Sequence, residues 1–365
     1  MIKRFEVEGF KNFENIIELD FSDVRDYKFN TQCITDRLVS KSIIYGKNSS
    51  GKTNIGLALF DIVSHLTAKN VGPKLYDYYL NANSDADYAS FHYDFCFGDD
   101  LIDYRYRKTD KQEIVYEKLT LNDNVLFEVD RINDKQDFSG IDVLAPTLNW
   151  EFNDSESILK YFINNSALEN EHPLRKMNRF VSSMLWCRSL EENRYIGYRT
   201  SSNDYYDFLL EDNNLKEFEQ LLHTTGIKDK LIFEEDGDGN KRLYVDTKTP
   251  IPFFRTASSG TKALYTFFYW YKTAKDVSLL FLDEFDAFYH FELSEAIVSL
   301  VEKMDATQVI ITSHNTNLLS NRIMRPDCYY ILSDGKLTTF ANATTRELRE
   351  GHNLEKLYLS GEFSL

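Results

Sequence analysis

Four short stretches of this sequence carry residues whose types and spacing can do chemistry. The first is "GKNSSGKT", Gly46 to Thr53. It fits G-x-x-x-x-G-K-[ST] in full, a loop whose glycines let backbone N–H groups wrap phosphate oxygens. Lys52 supplies a point charge for the β- and γ-oxygens, and Thr53 supplies a hydroxyl for Mg²⁺. The second is "SLLFLDEFD", in which the apolar residues Leu279 to Leu282 precede Asp283 and Glu284. A buried strand delivers such a pair at its C-terminal end, where open α/β sheets bind ligands. There Asp283 can hold Mg²⁺ and Glu284 can deprotonate an attacking water.

The third stretch is "QVIITSHNTNLL". Another apolar strand ends in Thr312, Ser313 and His314, and a histidine so placed can bond a terminal phosphate and report its loss. The fourth is "TASSGTKAL", Thr256 to Leu264. Ser258, Ser259 and Gly260 open a helix, and small residues there expose backbone N–H groups to an anion. A plain N-cap by Ser258 or Ser259 satisfies the same pattern.

These residues need elements to position them. "IKRFEV" and "NIIELDF" read as strands, and "KSIIYG" reads as a buried strand running into the glycine loop. A helix is predicted from about Asn54, with Ile55, Leu59, Ile62 and Leu66 on one face. From about Tyr88 to Val129 the period becomes two, broken by "GDD" and "LND", which predicts a β-meander. Residues 150–226 read as helical in "SESILKYFINN", "HPLRKMNRFVSSMLW" and "NNLKEFEQLLHTTG". A hairpin follows at "KLIFEE-DGDGN-KRLYVD". The last third alternates helix and strand, the pattern of a parallel sheet. The expected layout is an α/β core built from residues 1–75 and 245–365. Between them, 76–245 would insert a β lobe (about 85–130) and a helical lobe (about 150–226).

Composition bounds the function. The 365 residues carry 42 Lys and Arg against 58 Asp and Glu, a net charge of −16. That works against broad, non-specific binding of nucleic acid. Cys33, Cys96, Cys187 and Cys328 are scattered, which predicts reduced thiols in a cytoplasmic protein rather than a disulfide framework. "MIKRFEVEGF" has no apolar h-region, and no apolar run approaches a membrane span. "DGDGN" at 236–240 lacks the later positions of a calcium loop and reads as a hairpin turn. Arg346 and His352 have the spacing of some RNase pairs, and "HNLEK" reads more simply as a helix start. "DAD" at 85–87 does not fit a nuclease domain following the ATPase-like motifs. Arg105, Arg107 and Lys108, and Arg175, Lys176 and Arg179, read as solvated faces.

The order of phosphate loop, Ser/Gly segment, apolar-Asp-Glu and strand-ending His resembles that of the ABC-type ATPases. Within them the chain is similar to the chromosome-maintenance (SMC), RecF and OLD branch, to which Asn48, Asn54 and the "GFKNF" opening correspond. "DEFDAFYH" is similar to an OLD motif, with His290 at its end. The close, "RELREGHNLEKLYLSGEF", resembles small bacterial AAA_15-type defence ATPases. The resemblance implies the fold class: α/β, an ABC-type ATPase head with a mixed-sheet core, an inserted β-meander lobe and a helical lobe. It implies ATP and Mg²⁺ as ligands, held by Gly46, Lys47, Asn48, Ser49, Ser50, Gly51, Lys52, Thr53 and Asn54 together with Asp283. Glu284, His314 and Lys52 would act in hydrolysis. Two copies would pair head to tail, with Ser258, Ser259 and Gly260 of one capping the γ-phosphate held by the other. Relatives carry "LSGGE" where this chain has "ASSGT", so Thr261 stands where they have an acidic residue. The implied function is ATP-driven control of a separate effector protein in anti-phage defence. The alternative is a RecF-like ATPase acting directly on DNA.

Overall fold

The computed structural model describes residues 1–67, 69, 76–110, 113–146, 148, 156–190, 192–198, 205–211, 213–235, 239, 241–287 and 291–363. Two seven-stranded sheets dominate these residues. The central sheet runs in the order Arg194–Gly197, Leu185–Ser189, Leu279–Leu282, Gln308–Ser313, Lys41–Gly46, Tyr329–Ser333, Lys336–Thr339. Its five inner strands are parallel, and each outer strand is antiparallel to its neighbour. "KSIIYG", "LLFL" and "QVIITS" are buried at every position. Burial at every position belongs to strands covered on both faces.

The second sheet is antiparallel. It runs Lys135–Asp137, Asn124–Asp130, Ile114–Leu121, Asp100–Lys108, Ala89–Phe97, Ile2–Glu8, Ile17–Asp20. Its inner face is aromatic: Phe91 stacks on Tyr106 at 5.0 Å, and Phe5 lies 4.8 Å from Tyr93. The helix after the phosphate loop, Lys52–Leu59, lies between the two sheets. A Cβ on Gly56 would come within 3.0 Å of Trp186 and Phe281 of the central sheet. On the helix's other side, the Tyr93 hydroxyl of the antiparallel sheet donates to Ala58 O at 2.9 Å. Gln308 ties the sheets directly, accepting from Ile2 N at 3.1 Å and donating to Ile2 O at 3.0 Å.

Pairing crosses the expected lobe boundaries twice. The meander joins the N-terminal strands, because Ala89–Phe97 pairs with Ile2–Glu8. Leu185–Ser189 pairs with Leu279–Leu282 in the central sheet. The division into core and insert therefore describes order along the chain rather than separate sheets. It also corrects the helical reading of "HPLRKMNRFVSSMLW", which holds only for Pro173–Ser182. Leu185, Trp186 and Cys187 are buried, and a short apolar run of this kind satisfies either period until a ladder partner decides it.

The long helix expected from Asn54 is two helices, Lys52–Leu59 and Asp61–Leu66, broken at Phe60. The break turns Asp61 into the interior. There it accepts from Lys108 Nζ at 2.6 Å and from the hydroxyls of Tyr79 and Tyr106, each at 2.9 Å. Lys108 is thus a buried partner and not part of a solvated face, while Arg105 bonds Asp103 at 2.7 Å. The four cysteines are free thiols. Apart from Gly239, the "DGDGN" turn lies outside the described residues, as does His290. Among the described residues, no helix is long and apolar enough to cross a membrane.

Candidate active site

The carboxyl edge of the central sheet gathers the residues singled out by type and spacing. The histidine strand (Gln308–Ser313) lies between the carboxylate strand (Leu279–Leu282) and the phosphate-loop strand (Lys41–Gly46). All three motifs therefore emerge side by side at one end of adjacent parallel strands.

The loop is shaped by residues that tolerate left-handed backbone. Ser49 has φ 65° and Gly51 has φ 107°. A Cβ on Gly46 would lie 2.4 Å from Ser50 Oγ, and one on Gly51 would lie 2.5 Å from Asn12 Nδ2. No side chain caps the helix that starts at Lys52, so its first-turn N–H groups are available to an anion. Ser50 Oγ is buried without a hydrogen bond. Lys52, only 3% exposed, folds back over the loop and donates to Gly46 O at 2.9 Å and Lys47 O at 3.2 Å. Its Nζ is 4.0 Å from Glu284 Oε1. Lys47, Asn48 and Ser49 are exposed, and Asn54 Nδ2 donates to Asn12 Oδ1 at 2.6 Å.

The carboxylates are held by the neighbouring strand. The Thr312 hydroxyl donates to Asp283 Oδ1 at 2.8 Å and accepts from Glu284 N at 2.8 Å. Glu284 has φ 43°, an uncommon conformation for a residue with a side chain. Burial pushes the Asp283 carboxyl up, and hydrogen bonds from the hydroxyls of Thr312 and Thr53 hold it back. A hydroxyl and a carboxylate within bonding distance form a hard-oxygen donor pair, the set that fits Mg²⁺. Glu284 is half exposed at the mouth of the site, and His314 is exposed at the end of its strand.

The Ser/Gly segment stands apart. Ser258 caps the helix Ser259–Thr273, and its Oγ accepts from Thr261 N at 3.1 Å. The Ser258 and Thr261 hydroxyls are 2.8 Å apart. The Thr261 hydroxyl thus lies against the capping side chain itself. These bonds stay within the helix and do not reach the phosphate loop. Ser258 and Ser259 are exposed.

Three participants were not identified from sequence. Asn12 bridges the N-terminal turn to the loop through Ser50 O at 3.3 Å and Asn54. The "GFKNF" opening contains it, but nothing in that string says where its side chain goes. Thr312 clamps both carboxylate residues, a role that becomes visible only once the two strands are paired. Arg188 follows the buried run of a strand read as helix, beside Asp283.

A parallel sheet with a phosphate loop, an Asp-Glu pair and a histidine on adjacent strands, flanked by an antiparallel sheet, defines an ABC-type ATPase head. A family model described as "AAA domain, putative AbiEii toxin, Type IV TA system" matches residues 41–320. The chain belongs to that family. Among solved structures it is similar to an Smc head bound to the C-winged helix domain of ScpA, at 16% identity over 93% of this chain and 97% of that one, TM-score 0.48. It is also similar to the SMC head domain from Thermotoga maritima, at 16% identity over 93% and 97%, TM-score 0.44. A Pyrococcus furiosus Smc head with an extended coiled coil, bound to the C-terminal domain of ScpA, aligns at 15% identity over 99% and 98%, TM-score 0.43. A comparison with curated proteins finds no match.

Proposed function

We propose that the chain binds ATP with Mg²⁺ and hydrolyses it at a site completed by a second copy. The observation that carries this reading is the Thr312 clamp, which fixes Asp283 and Glu284 beside the loop that cages Lys52. Backbone N–H groups of the loop and the first turn of its helix bind the phosphates. Lys52 exchanges its two loop carbonyls for phosphate oxygens. Thr53 and Asp283 would hold Mg²⁺, which would supply neutralising charge there. Glu284 accepts a proton from a water that attacks the terminal phosphorus, the bond to the β-γ bridging oxygen breaks, and ADP departs. His314, on the strand between the two motifs, bonds the terminal phosphate.

Ser258 and Ser259 are exposed, Gly260 is half-buried, and the Ser258 hydroxyl bonds within its own helix; this segment would meet the phosphate held by a partner copy. ATP binding then closes two chains head to tail, and hydrolysis opens them. The family description names a toxin–antitoxin system, which supports a chain working with a dedicated protein partner. We read that role as control of a separate effector in anti-phage defence, with the acidic surface arguing against a long track on DNA.

Glu284→Gln tests the reading. Hydrolysis falls by roughly 10²- to 10⁴-fold, ATP binding persists, and an ATP-dependent dimer accumulates in light scattering. Hydrolysis at the parental rate removes Glu284 from the mechanism. A chain that hydrolyses at full rate as a monomer at any dilution overturns the shared site.

A further inference from the structure

Arg188 is the cation at the carboxyl edge that the proposed mechanism leaves unused. It follows Cys187, which pairs with Leu282 across the two strands, and Asp283 N donates to Cys187 O at 3.0 Å. Arg188 therefore sits in the last part of its strand, next to the residue proposed to hold Mg²⁺. Its guanidinium lies over the Trp186 ring, 5.5 Å from the centroid. Trp186 is fully buried against Phe60 and Phe281, so the ring is a fixed platform. The Nε of Arg188 is buried and makes no hydrogen bond. Among the described residues, Arg194, Asp283 and Tyr76 act electrostatically on it.

A half-buried guanidinium with an idle donor is costly unless something else uses it. Asp283 does not use it fully, because the Asp283 carboxylate already accepts from Thr312 and Thr53. When a cation occupies Asp283, that carboxylate is further withdrawn from Arg188. The guanidinium then needs an anion, and its planar fork matches phosphate oxygens.

We propose that Arg188 is a substrate-binding residue that engages the terminal phosphate of bound nucleotide from the side of the site away from Lys52. This rests on the ATP reading above. Lys52 holds the phosphate chain in general, and Arg188 distinguishes a triphosphate from a diphosphate. Trp186 keeps the guanidinium at the correct height by stacking. The inference adds a discriminator that neither the loop motif nor the carboxylate motif contains.

Titration calorimetry with Mg·ATP and Mg·ADP tests it, with Glu284→Gln as the background to prevent turnover. Arg188→Gln loses roughly 10- to 100-fold in ATP affinity, the worth of a charge-assisted hydrogen bond or two, and keeps its ADP affinity. Retained ADP binding also shows that the variant is folded. Arg188→Lys recovers part of the ATP affinity, since a point charge replaces the fork. Equal losses for ATP and ADP, or no loss for either, overturn the proposal and leave Arg188 as a counter-charge to Asp283. If the background chain binds ATP and Lys52→Ala abolishes this, yet Arg188→Gln leaves the ATP-to-ADP ratio unchanged, this inference alone fails. If the background chain binds neither nucleotide, the ATP reading fails and takes this one with it.

Discussion

Both sheets bury charge, and they treat it differently. Between the antiparallel sheet and the helices, each buried carboxylate is saturated. Asp61 takes bonds from Lys108, Tyr79 and Tyr106. Glu117, fully buried, accepts from Tyr104 at 2.8 Å, from Ser157 at 2.8 Å, and from the backbone N–H groups of Ile158 and Leu159 at 2.9 and 3.0 Å. It thereby caps the start of the helix Ile158–Asn165. At the carboxyl edge of the parallel sheet, by contrast, groups are held in reserve. Ser50 Oγ, Arg188 Nε and one oxygen of Asp286 are buried without partners. Saturated polar groups specify a single packing, while an unsaturated one calls for an explanation, which a bound ligand would supply at this edge.

The sharpest way to break this contrast is Asp61→Ala. It strands the Lys108 ammonium, whose side chain is 2% exposed, and removes the acceptor of two tyrosines. Removing one partner of a buried pair costs about 3–5 kcal/mol, so thermal unfolding shifts down strongly. A shift no larger than that of a surface substitution contradicts the view that this interior depends on saturation.

Lys52→Ala asks the converse question at the other edge. Nucleotide affinity falls by about 1.5–3 kcal/mol or more, read by calorimetry. Stability changes by less than about 1 kcal/mol, because only two loop carbonyls lose a donor. A large loss of stability with unchanged nucleotide affinity reverses the assignment of the two regions.

His92 provides a pH handle on the outer face of the antiparallel sheet. Burial alone lowers its pKa. Hydrogen bonds to Asp103, Asp94 and Glu6 outweigh that and raise it to about 10. A raised folded value means that the native state holds the proton more tightly. Its contribution is complete below the unfolded value, roughly 6.5, and is lost as pH rises through about 10. Over that window it lowers stability by at most ~1.4 kcal/mol per pH unit. Denaturant titrations of the parent chain should show this slope, and His92→Gln should remove it. Parallel pH profiles refute the assignment.

Ser258→Ala gives the smallest effect. Loss of the cap costs about 1 kcal/mol, while nucleotide binding by the isolated chain is unchanged. Weaker binding in a monomer would mean that the segment serves its own loop.

The chemistry was more legible in the sequence than the scaffold. Gly46 to Thr53, Asp283–Glu284 and His314 are contiguous strings whose local order already encodes a strand end. The saturating partners are not local. Lys108 lies 47 residues from Asp61, and its alternating strand looks like any half-exposed one. Arg188 was hidden for another reason. "MLWCR" is too short for either periodicity to assert itself, and only its ladders with Leu279–Leu282 and Arg194–Gly197 make it a strand. Thr261, singled out in the sequence only as a departure from an acidic residue, touches the Ser258 hydroxyl in the structure.

The pairing of Lys41–Gly46 with Gln308–Ser313 and Tyr329–Ser333 has a consequence for biosynthesis. The strand that carries the phosphate loop leaves the ribosome early, yet both of its neighbours come from the last sixth of the chain. At bacterial or eukaryotic rates of about 5–20 residues per second, a strand destined to be fully buried waits on the order of ten seconds or more for its ladder. During that interval the nascent chain is a substrate for chaperones and a hazard for aggregation. Truncation before residue 308 would therefore leave the phosphate-loop strand without either of its ladder partners.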